Sequence, residues 1–313
     1  MAYSDTNLSR LGQVNKAGAV DALFLKVFGG EVMTEFERNN VFKALTYVRQ
    51  ITAGKTAQFP LVGRASSAYH TPGSWIDGSA IDHAEKTISV DDLLQSNTFI
   101  ADVDEAMNHY DVRSIYSAEL GQELAYQYDT HLAAVLTLAA RSTSPLTGRS
   151  GGSRITDAAM KTDPAKLEAA LFTATQTLDE KNVGQQDRYA VFRPAQYYLL
   201  AQRDRLVDTN LGAKGAVASG VVETIAGLPI VKSNNVPSTN VTTGPAKYQG
   251  DFTTTVGLVF NKYAAGTVQL LDLSVENEYE IRRQGNFFVA KYLCGHDVLR
   301  ADCAIELATG AVA

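Results

Sequence analysis

Apolar residues recur at every fourth position through Asp111–Arg141, and this is the clearest periodic pattern in the chain. The repeating positions are Val112, Tyr116, Leu120, Leu124, Tyr128, Leu132 and Leu136. Residues at this spacing lie on one face of an α-helix. A helix over Asp111–Arg141 would be about 46 Å long, which exceeds the usual length in a globular protein. Its apolar face must be covered by a sheet or by neighbouring subunits.

The C-terminal part of the chain carries three β patterns. Apolar and polar residues alternate in Thr267–Glu276, with a slip of one residue at Leu270-Leu271 that predicts a β-bulge, and they alternate again in Asn286–Cys294. Because alternate residues of a strand share a face, the second of these strands is predicted to bury one face. The residues of that face are Phe288, Ala290, Tyr292 and Cys294. Ala304–Leu307 is predicted to form a third, short strand.

Thr52–Val103 has the pattern of a long two-armed hairpin. Its outgoing arm includes Gln58–Gly63, and its returning arm includes Glu85–Val90 and Thr98–Val103. Between the arms lies Arg64–Asp82, which is rich in Ser, Gly and Ala and is long for a loop. A two-stranded hairpin is at best marginally stable alone in water, so we expect another surface to cover it.

Three large apolar side chains lie in the otherwise polar tip of this hairpin, at Tyr69, Trp75 and Ile76. Aromatic residues are enriched in protein interfaces. We therefore predict that these three side chains contact a neighbouring subunit. The alternative is that they pack against their own domain.

The segments before the hairpin give weaker signals. Met1–Val20 is polar and lacks a strong period, which is typical of a mobile terminal arm. Ala22–Val27 is apolar and is predicted to end at Gly29-Gly30, because paired glycines interrupt regular structure. Val41–Ile51 fits either a helix or a strand.

The middle of the chain is predicted to alternate between helices and short strands. Ser142–Thr162 is rich in Ser, Thr and Gly, which is typical of a linker. Asp163-Pro164 then begins a helix, because Asp is a favourable cap and Pro a favourable first residue. The predicted elements that follow are a helix to about Asn182, a strand at Tyr189–Phe192, a helix at Pro194–Arg203, a mobile loop at Leu206–Ser219, and strands at Ile230–Lys232 and Val256–Phe260.

Composition and charge set limits on function. Hydrophobic residues make up 45% of the 313-residue chain and charged residues 20%, which is ordinary for a globular protein. The net charge of -6 disfavours tight binding of nucleic acid, which depends on Lys and Arg. A container that holds nucleic acid loosely is still compatible with this charge. Met1–Arg10 lacks the apolar region of a signal peptide, and no run is long enough to span a membrane, so we expect a cytoplasmic protein.

No set of residues has the spacing of a catalytic or cofactor-binding site. Ala53–Thr56 is similar only to the end of a phosphate-binding loop and lacks the earlier glycine. Cys294 and His296 form one close pair, whereas a zinc site needs two. Cys294 and Cys303 are predicted to be reduced and buried or half-buried, because two cysteines are too few for a disulfide scaffold. The alternative is a disulfide between them. We predict a protein that is not an enzyme and binds no metal or cofactor; the alternative is an enzyme with a pocket of convergent polar groups.

One ordered charge pattern lies in the C-terminal strands. Glu276, Glu278 and Glu280 alternate with other residues and precede Arg282-Arg283. In a strand these three carboxylates share a face, where they repel one another unless cations approach. Either water solvates the row, or basic side chains of an adjacent subunit meet it, with Arg64 as one candidate. In the second case, reversing the three glutamates to lysine should block assembly and leave the monomer folded.

Four segments, in this order along the chain, resemble the major capsid protein of short-tailed bacteriophages of the podovirus type, in particular the autographivirus-like ones. The segments are Ala22–Val32, Gly54–Gly63, Glu105–Ser114 and Ala290–His296. The resemblance covers roughly Ala22–Ser142 and Gly266–Arg300. It does not extend to Thr143–Gly257.

The resemblance implies an α+β protein with the HK97-like capsid fold. It implies an N-terminal arm at residues 1–50, an extended β-hairpin loop at 51–101, a peripheral domain at 102–162 and 266–313 with a long spine helix at 111–141, and an axial domain at 163–265. In that family the extended loop lies across the neighbouring subunit.

The resemblance also implies a structural function. The chain would self-assemble as pentamers and hexamers into an icosahedral phage head, which encloses double-stranded DNA by loose, non-specific contact. A scaffolding protein and a portal would guide assembly in the cytoplasm of the bacterial host, without a membrane. The alternative is the shell protein of a non-viral nanocompartment with the HK97-like fold.

Overall fold

The structure is a computed structural model that describes residues 22–76, 78–102, 112–203 and 224–311. The predicted terminal arm at Met1–Val20, the predicted loop at Leu206–Ser219 and the segment Glu105–Asp111 lie outside the described residues.

The chain divides into two compact units. The first comprises the described parts of Met1–Asn40, Asp92–Gln127 and Leu271–Leu293, and the second comprises those of Val41–Asp91, Tyr128–Leu270 and Cys294–Ala313. The boundaries of these units follow spatial proximity and pass through single helices and strands. The domain boundaries given by the resemblance therefore stay a prediction.

The long helix predicted from the four-residue repeat is confirmed. It runs over the 30 residues Val112–Arg141 (α3), which corresponds to about 45 Å. Most of its predicted stripe is buried, at Leu120, Leu124, Tyr128, Leu132 and Leu136, whereas Tyr116 is exposed.

In the first unit, helix α1 (Ala22–Asn39) passes through Gly29-Gly30, so the predicted break there is wrong. Each helical glycine costs about 1 kcal/mol relative to alanine. Burial outweighs this cost, because Val32 and Phe36 lie one turn apart in the core and Phe36 packs 5.5 Å from the Tyr292 ring. Gly121 of α3 permits the approach of α1, since a Cβ there would lie 2.5 Å from the Val32 carbonyl oxygen.

Strand β4 (Leu94–Ala101) also lies in the first unit, where it pairs antiparallel with β13 (Gly285–Val298). Thr98–Ala101 therefore does not belong to the returning arm of the hairpin, which corrects the prediction. The register places Phe99 opposite Phe287, and such aromatic cross-strand pairs stabilise a sheet. The face of β13 that was predicted from alternation, Phe288 to Cys294, is buried as expected.

The second unit begins with the segment that fitted both a helix and a strand. It contains one of each: a single turn of helix, α2 (Phe42–Leu45), and strand β1 (Tyr47–Gln50), which pairs parallel with β12 (Ala265–Glu280). The Asp129 carboxylate accepts hydrogen bonds from the N–H groups of Val41 and Phe42 at 2.9 and 3.2 Å. Burial raises the pKa of Asp129 to about 6, although these bonds oppose the shift. β1, β12, β13 and β4 form a sheet in that order.

The hairpin consists of β2 (Thr56–Val62) and β3 (His83–Ser89), which pair antiparallel over all seven residues of each strand. This confirms the outgoing arm and the first part of the returning arm. Ala57, Phe59 and Leu61 lie on one face of β2, and this face is buried within the second unit.

A six-stranded sheet forms the centre of the second unit, in the order β5–β14–β11–β6–β8–β7. Its strands are β5 (Ser153–Thr156), β6 (Arg188–Phe192), β7 (Thr224–Ile225), β8 (Leu228–Lys232), β11 (Thr255–Asn261) and β14 (Ala304–Ala308), and the small pair β9 (Asn240–Val241) and β10 (Gly250–Asp251) stands apart. Helices α4 (Pro164–Glu180) and α5 (Pro194–Ala201) confirm the predicted ones, and Asp163 caps α4 by accepting from the Ala165 N–H. The predicted linker is wrong at β5, which pairs parallel with β14.

A buried ion cluster joins this sheet to the end of α3. The Glu306 carboxylate is fully buried and accepts two hydrogen bonds from the Arg141 guanidinium, both at 2.7 Å. Arg154 lies 3.1 Å from the same carboxylate, and the Thr255 hydroxyl donates to it at 2.7 Å. The Glu306 carboxylate is therefore in contact with two largely buried guanidinium groups.

Among the described residues, no helix combines the length and the apolar character needed to cross a membrane.

Candidate functional site

The tip of the hairpin is the most exposed part of the described chain. Every described residue from Arg64 to His83 is exposed. The exposed fractions of Tyr69, Trp75 and Ile76 are 105%, 94% and 80%. Within the described residues these three side chains therefore do not pack against their own domain.

The two ends of the loop that carries these side chains are joined by a backbone hydrogen bond. The Gly63 N–H donates to the Asp82 carbonyl at 2.7 Å, directly after the β2–β3 ladder ends. A Cβ at position 63 would lie 2.9 Å from that carbonyl oxygen, so glycine permits the close approach. Exposed apolar residues rimmed by polar ones are typical of interaction sites.

Arg64, the predicted basic partner of the glutamate row, is engaged by its own chain in the structure. Its guanidinium donates to the Lys181 carbonyl at 2.8 Å, beside an open cavity of about 280 Å³. Arg149 and Asp302 line the same cavity, and they form an ion pair at 3.3 Å. The Lys181 ammonium, which donates to the Gly151 carbonyl, completes a basic cluster.

The electrostatics of this basic cluster centre on Asp302. Burial alone would raise the pKa of Asp302, but the hydrogen bonds from Arg300 and the charges of Arg300 and Arg149 lower it below its usual value. Burial lowers the pKa of Lys181, and the negative charge of Asp302 partly offsets this shift. The cluster was missed from the sequence, because its members come from four distant segments and no local pattern links them.

The glutamate row is largely neutralised within the first unit. Glu276 forms an ion pair with Lys291 of the adjacent strand at 2.5 Å, and Glu280 pairs with Arg283 at 3.2 Å. In the described parts of the chain, Glu278 has no cation at ion-pair distance. Of the three carboxylates, that of Glu278 therefore stays without a cation at ion-pair distance within the described residues, and it is exposed, as is Arg282.

The cysteines and histidines do not form a metal-binding group within the described residues. No group of three His, Cys, Asp or Glu side chains there could hold a metal ion. Cys294 and Cys303 are free and buried, as predicted, and burial raises the pKa of each thiol to about 12. Thiols of this kind are unreactive near neutral pH.

Comparison with known proteins gives consistent matches. A family model for Gp10A-like major capsid proteins matches residues 58–308. The major capsid proteins of Enterobacteria phage T3 and Escherichia phage T7 are each 33% identical to this chain over 317 aligned positions. The alignments cover 90% of this chain and 90% of the T3 protein, and 92% of this chain and 92% of the T7 protein.

A solved structure extends the likeness to the whole fold. The capsid structure of the Cyanophage P-SCSP1u superposes with a TM-score of 0.80 and 44% sequence identity, and the match covers 99% of this chain and 100% of that chain. The predicted α+β, HK97-like fold is thereby confirmed.

The matches and the exposed loop define a structural subunit of a phage shell. The chain belongs to the family of Gp10A-like major capsid proteins. The resemblance to capsid proteins of podovirus-type phages is confirmed, and the match favours a phage capsid over a nanocompartment.

Proposed function

We propose that this chain assembles as pentamers and hexamers into an icosahedral phage head that encloses double-stranded DNA. The observation that carries the proposal is the fully exposed loop of the hairpin, with Tyr69, Trp75 and Ile76 in water. A monomer gains nothing from these side chains, whereas an assembled copy can bury them.

A neighbouring copy of the chain is the proposed cover for the loop. Full burial of one large apolar side chain contributes about 1.5–3 kcal/mol, so three of them supply a substantial part of a subunit contact. The loop of one copy would meet a different surface of the next, which makes the contact heterologous. Heterologous contacts close into rings when the rotation between copies allows it, as pentamers and hexamers require.

Charged groups are proposed to supplement this contact. Glu278 and Arg282 lie exposed at the end of the β12–β13 ribbon, and Arg283 is also exposed although it pairs with Glu280. Arg64 lies at the base of the loop with the basic cluster beside it. Exposed charges at the edge of an interface direct the approach and orientation of the partners more than they increase the affinity.

The remaining partners are proposed from the family and the charge. A scaffolding protein and a portal would guide assembly in the host cytoplasm, and the chain would then reside in the virion capsid. The net charge of -6 supports loose, non-specific contact with packaged DNA, because tight binding needs cationic surface. No catalytic role is proposed.

Electron microscopy of the purified chain tests this proposal. We expect uniform hollow particles or hexagonal tubes, and a large sedimenting species in analytical ultracentrifugation. A folded monomer at every concentration, with or without a co-expressed scaffolding protein, would contradict the proposal.

A further inference from the structure

A group of polar side chains lies at the foot of the hairpin, within the second unit; its Tyr248 is buried, and its Asp91, His131 and Lys247 are half-buried. The proposed contacts between subunits do not use it. Asp91, two residues after β3, is its centre. The Asp91 carboxylate accepts a hydrogen bond from the Tyr248 hydroxyl and lies 2.5 Å from the Lys247 ammonium. Its backbone N–H donates to the Cys294 carbonyl at 3.1 Å. The hairpin is therefore tied both to the turn Ala246–Tyr248 and to β13.

The packing around this foot leaves little free space. Ile88 and Val90 are buried on either side of Ser89. A Cβ at Gly295 of β13 would overlap the Ser89 carbonyl oxygen and would lie 2.8 Å from the Val90 Cα. The hairpin therefore packs tightly against β13 beside the polar group, and a shift of the hairpin foot changes this contact.

Two histidines hold the Tyr248 side chain in place. The His131 ring of α3 stacks on the Tyr248 ring, with centroids 4.2 Å apart and planes within 6°. The backbone N–H of His296 donates to the Tyr248 hydroxyl at 3.2 Å. The His296 Nδ1 lies 2.8 Å from the Thr267 hydroxyl, and its ring is fully enclosed.

The ionisable groups around Tyr248 determine the environment that a proton on His131 would enter. Those that face the polar group are Asp91 at the hairpin foot, Lys247 and Tyr248 in the turn, Tyr128, Asp129 and His131 on α3, Cys294 and His296 on β13, and Lys43 on α2. Asp91 already binds Lys247 and Tyr248, and Asp129 is occupied by backbone N–H groups. A proton on His131 would place a second cation beside Lys247, which already lies 5.1 Å from the Tyr248 ring.

The titration of the histidines follows from this environment. Burial lowers the pKa of His131, Asp91 opposes the shift and Lys247 adds to it. Burial also lowers the pKa of His296, with the charge of His131 adding to the effect. An opened hairpin foot, in which His131 is solvated, takes up a proton near pH 6.5. The closed foot therefore loses stability relative to the open one as the pH falls below about 6.5.

We propose that Asp91, His131, Lys247 and Tyr248 form an acid-sensitive clasp that controls the mobility of the hairpin. A proton on His131 separates its ring from Tyr248, weakens the bond between Tyr248 and Asp91, and loosens the foot of the hairpin. The clasp acts within one chain, so it sets how freely the loop moves before a neighbouring copy covers it.

Hydrogen exchange of the unassembled full-length chain tests the clasp. Amide protection in Thr56–Val62 and His83–Ser89 is compared at pH 8 and pH 5, after correction for intrinsic exchange rates. We expect protection to fall at pH 5, by at most about 30-fold, which is the limit for one histidine that titrates near pH 6.5 when it is solvated. The fully buried strand β11 provides the internal reference and should not change.

Matched variants assign the effect to His131. His131→Phe keeps a stacked ring that cannot accept a proton, so the loss of hairpin protection between pH 8 and pH 5 should be much smaller than in the wild type. His131→Gln should give the same result, which keeps the test valid if one variant does not fold. His83→Gln removes an exposed histidine from the hairpin itself and should keep the wild-type response.

Two results would overturn the clasp. One is equal protection of the wild-type hairpin at pH 8 and pH 5, and the other is an unchanged acid response in both His131 variants. Neither result would affect the proposal of a shell, which rests on the exposed loop and on particle formation.

Discussion

Glu306→Gln is expected to lower the free energy of unfolding by about 3–5 kcal/mol, because it removes the buried charge that pairs with two largely buried guanidinium groups. Glu306 is fully buried, whereas the exposed fractions of the Arg141 and Arg154 side chains are 17% and 18%. Glutamine keeps the size of the side chain and its carbonyl oxygen but cannot serve both arginines. Urea unfolding followed by circular dichroism measures the change.

The matched control for this substitution is Glu278→Gln, which makes the same chemical change at an exposed position. Its free energy of unfolding should stay within about 0.5 kcal/mol of the wild type. If Glu306→Gln lowered the free energy of unfolding as little as Glu278→Gln, the ion cluster would not stabilise the second unit.

Replacing Tyr69, Trp75 and Ile76 together with serine is expected to abolish particles and to leave the monomer folded. In the described chain none of these side chains is buried, so their loss should change the free energy of unfolding by less than about 1 kcal/mol. The substitutions remove apolar contact with a neighbouring copy, so they weaken the contact between subunits and not the folded monomer. Sedimentation velocity and electron microscopy measure particle yield, and circular dichroism measures folding.

A control within the same loop separates the apolar contact from general effects on the tip. Ser66→Ala and Ser67→Ala change exposed polar residues close to Tyr69 and should leave particle yield unchanged. Normal particles from the triple serine variant would show that the tip does not hold the shell together.

Long and regular patterns in the sequence predicted the framework correctly. The repeat in α3 extends over about seven turns, so the exposed Tyr116 did not obscure the helix. The alternation in β13 and the hairpin strand β2 was equally clear, because one face of each strand is buried.

Short or interrupted patterns failed where tertiary contacts decide the outcome. Gly29-Gly30 suggested a break, but the buried pair Val32 and Phe36 continues α1 beyond it. β4 was assigned to the hairpin because it follows β3 along the chain, whereas its partner β13 lies far away in sequence. β5 has four residues with little apolar character, so only its position beside β14 makes it a strand.

The interaction surface could be predicted only in part. The apolar residues at the tip are easily recognised within a polar loop. The sequence does not identify the surface that they contact. The glutamate row was visible from alternation, but its neutralisation depends on the register that brings Lys291 to Glu276. The basic cluster around Asp302 depends on the folding of four segments and has no local signal.

The fluorescence of Trp75 tests the central claim most directly, because it is the only tryptophan of the chain and lies in the exposed loop. The emission spectrum and acrylamide quenching are measured for the unassembled chain and for purified particles. If a neighbouring copy covers the loop, assembly shifts the emission to shorter wavelength and removes most of the quenching. Particles in which Trp75 stays as accessible to acrylamide as in the free chain would contradict the account.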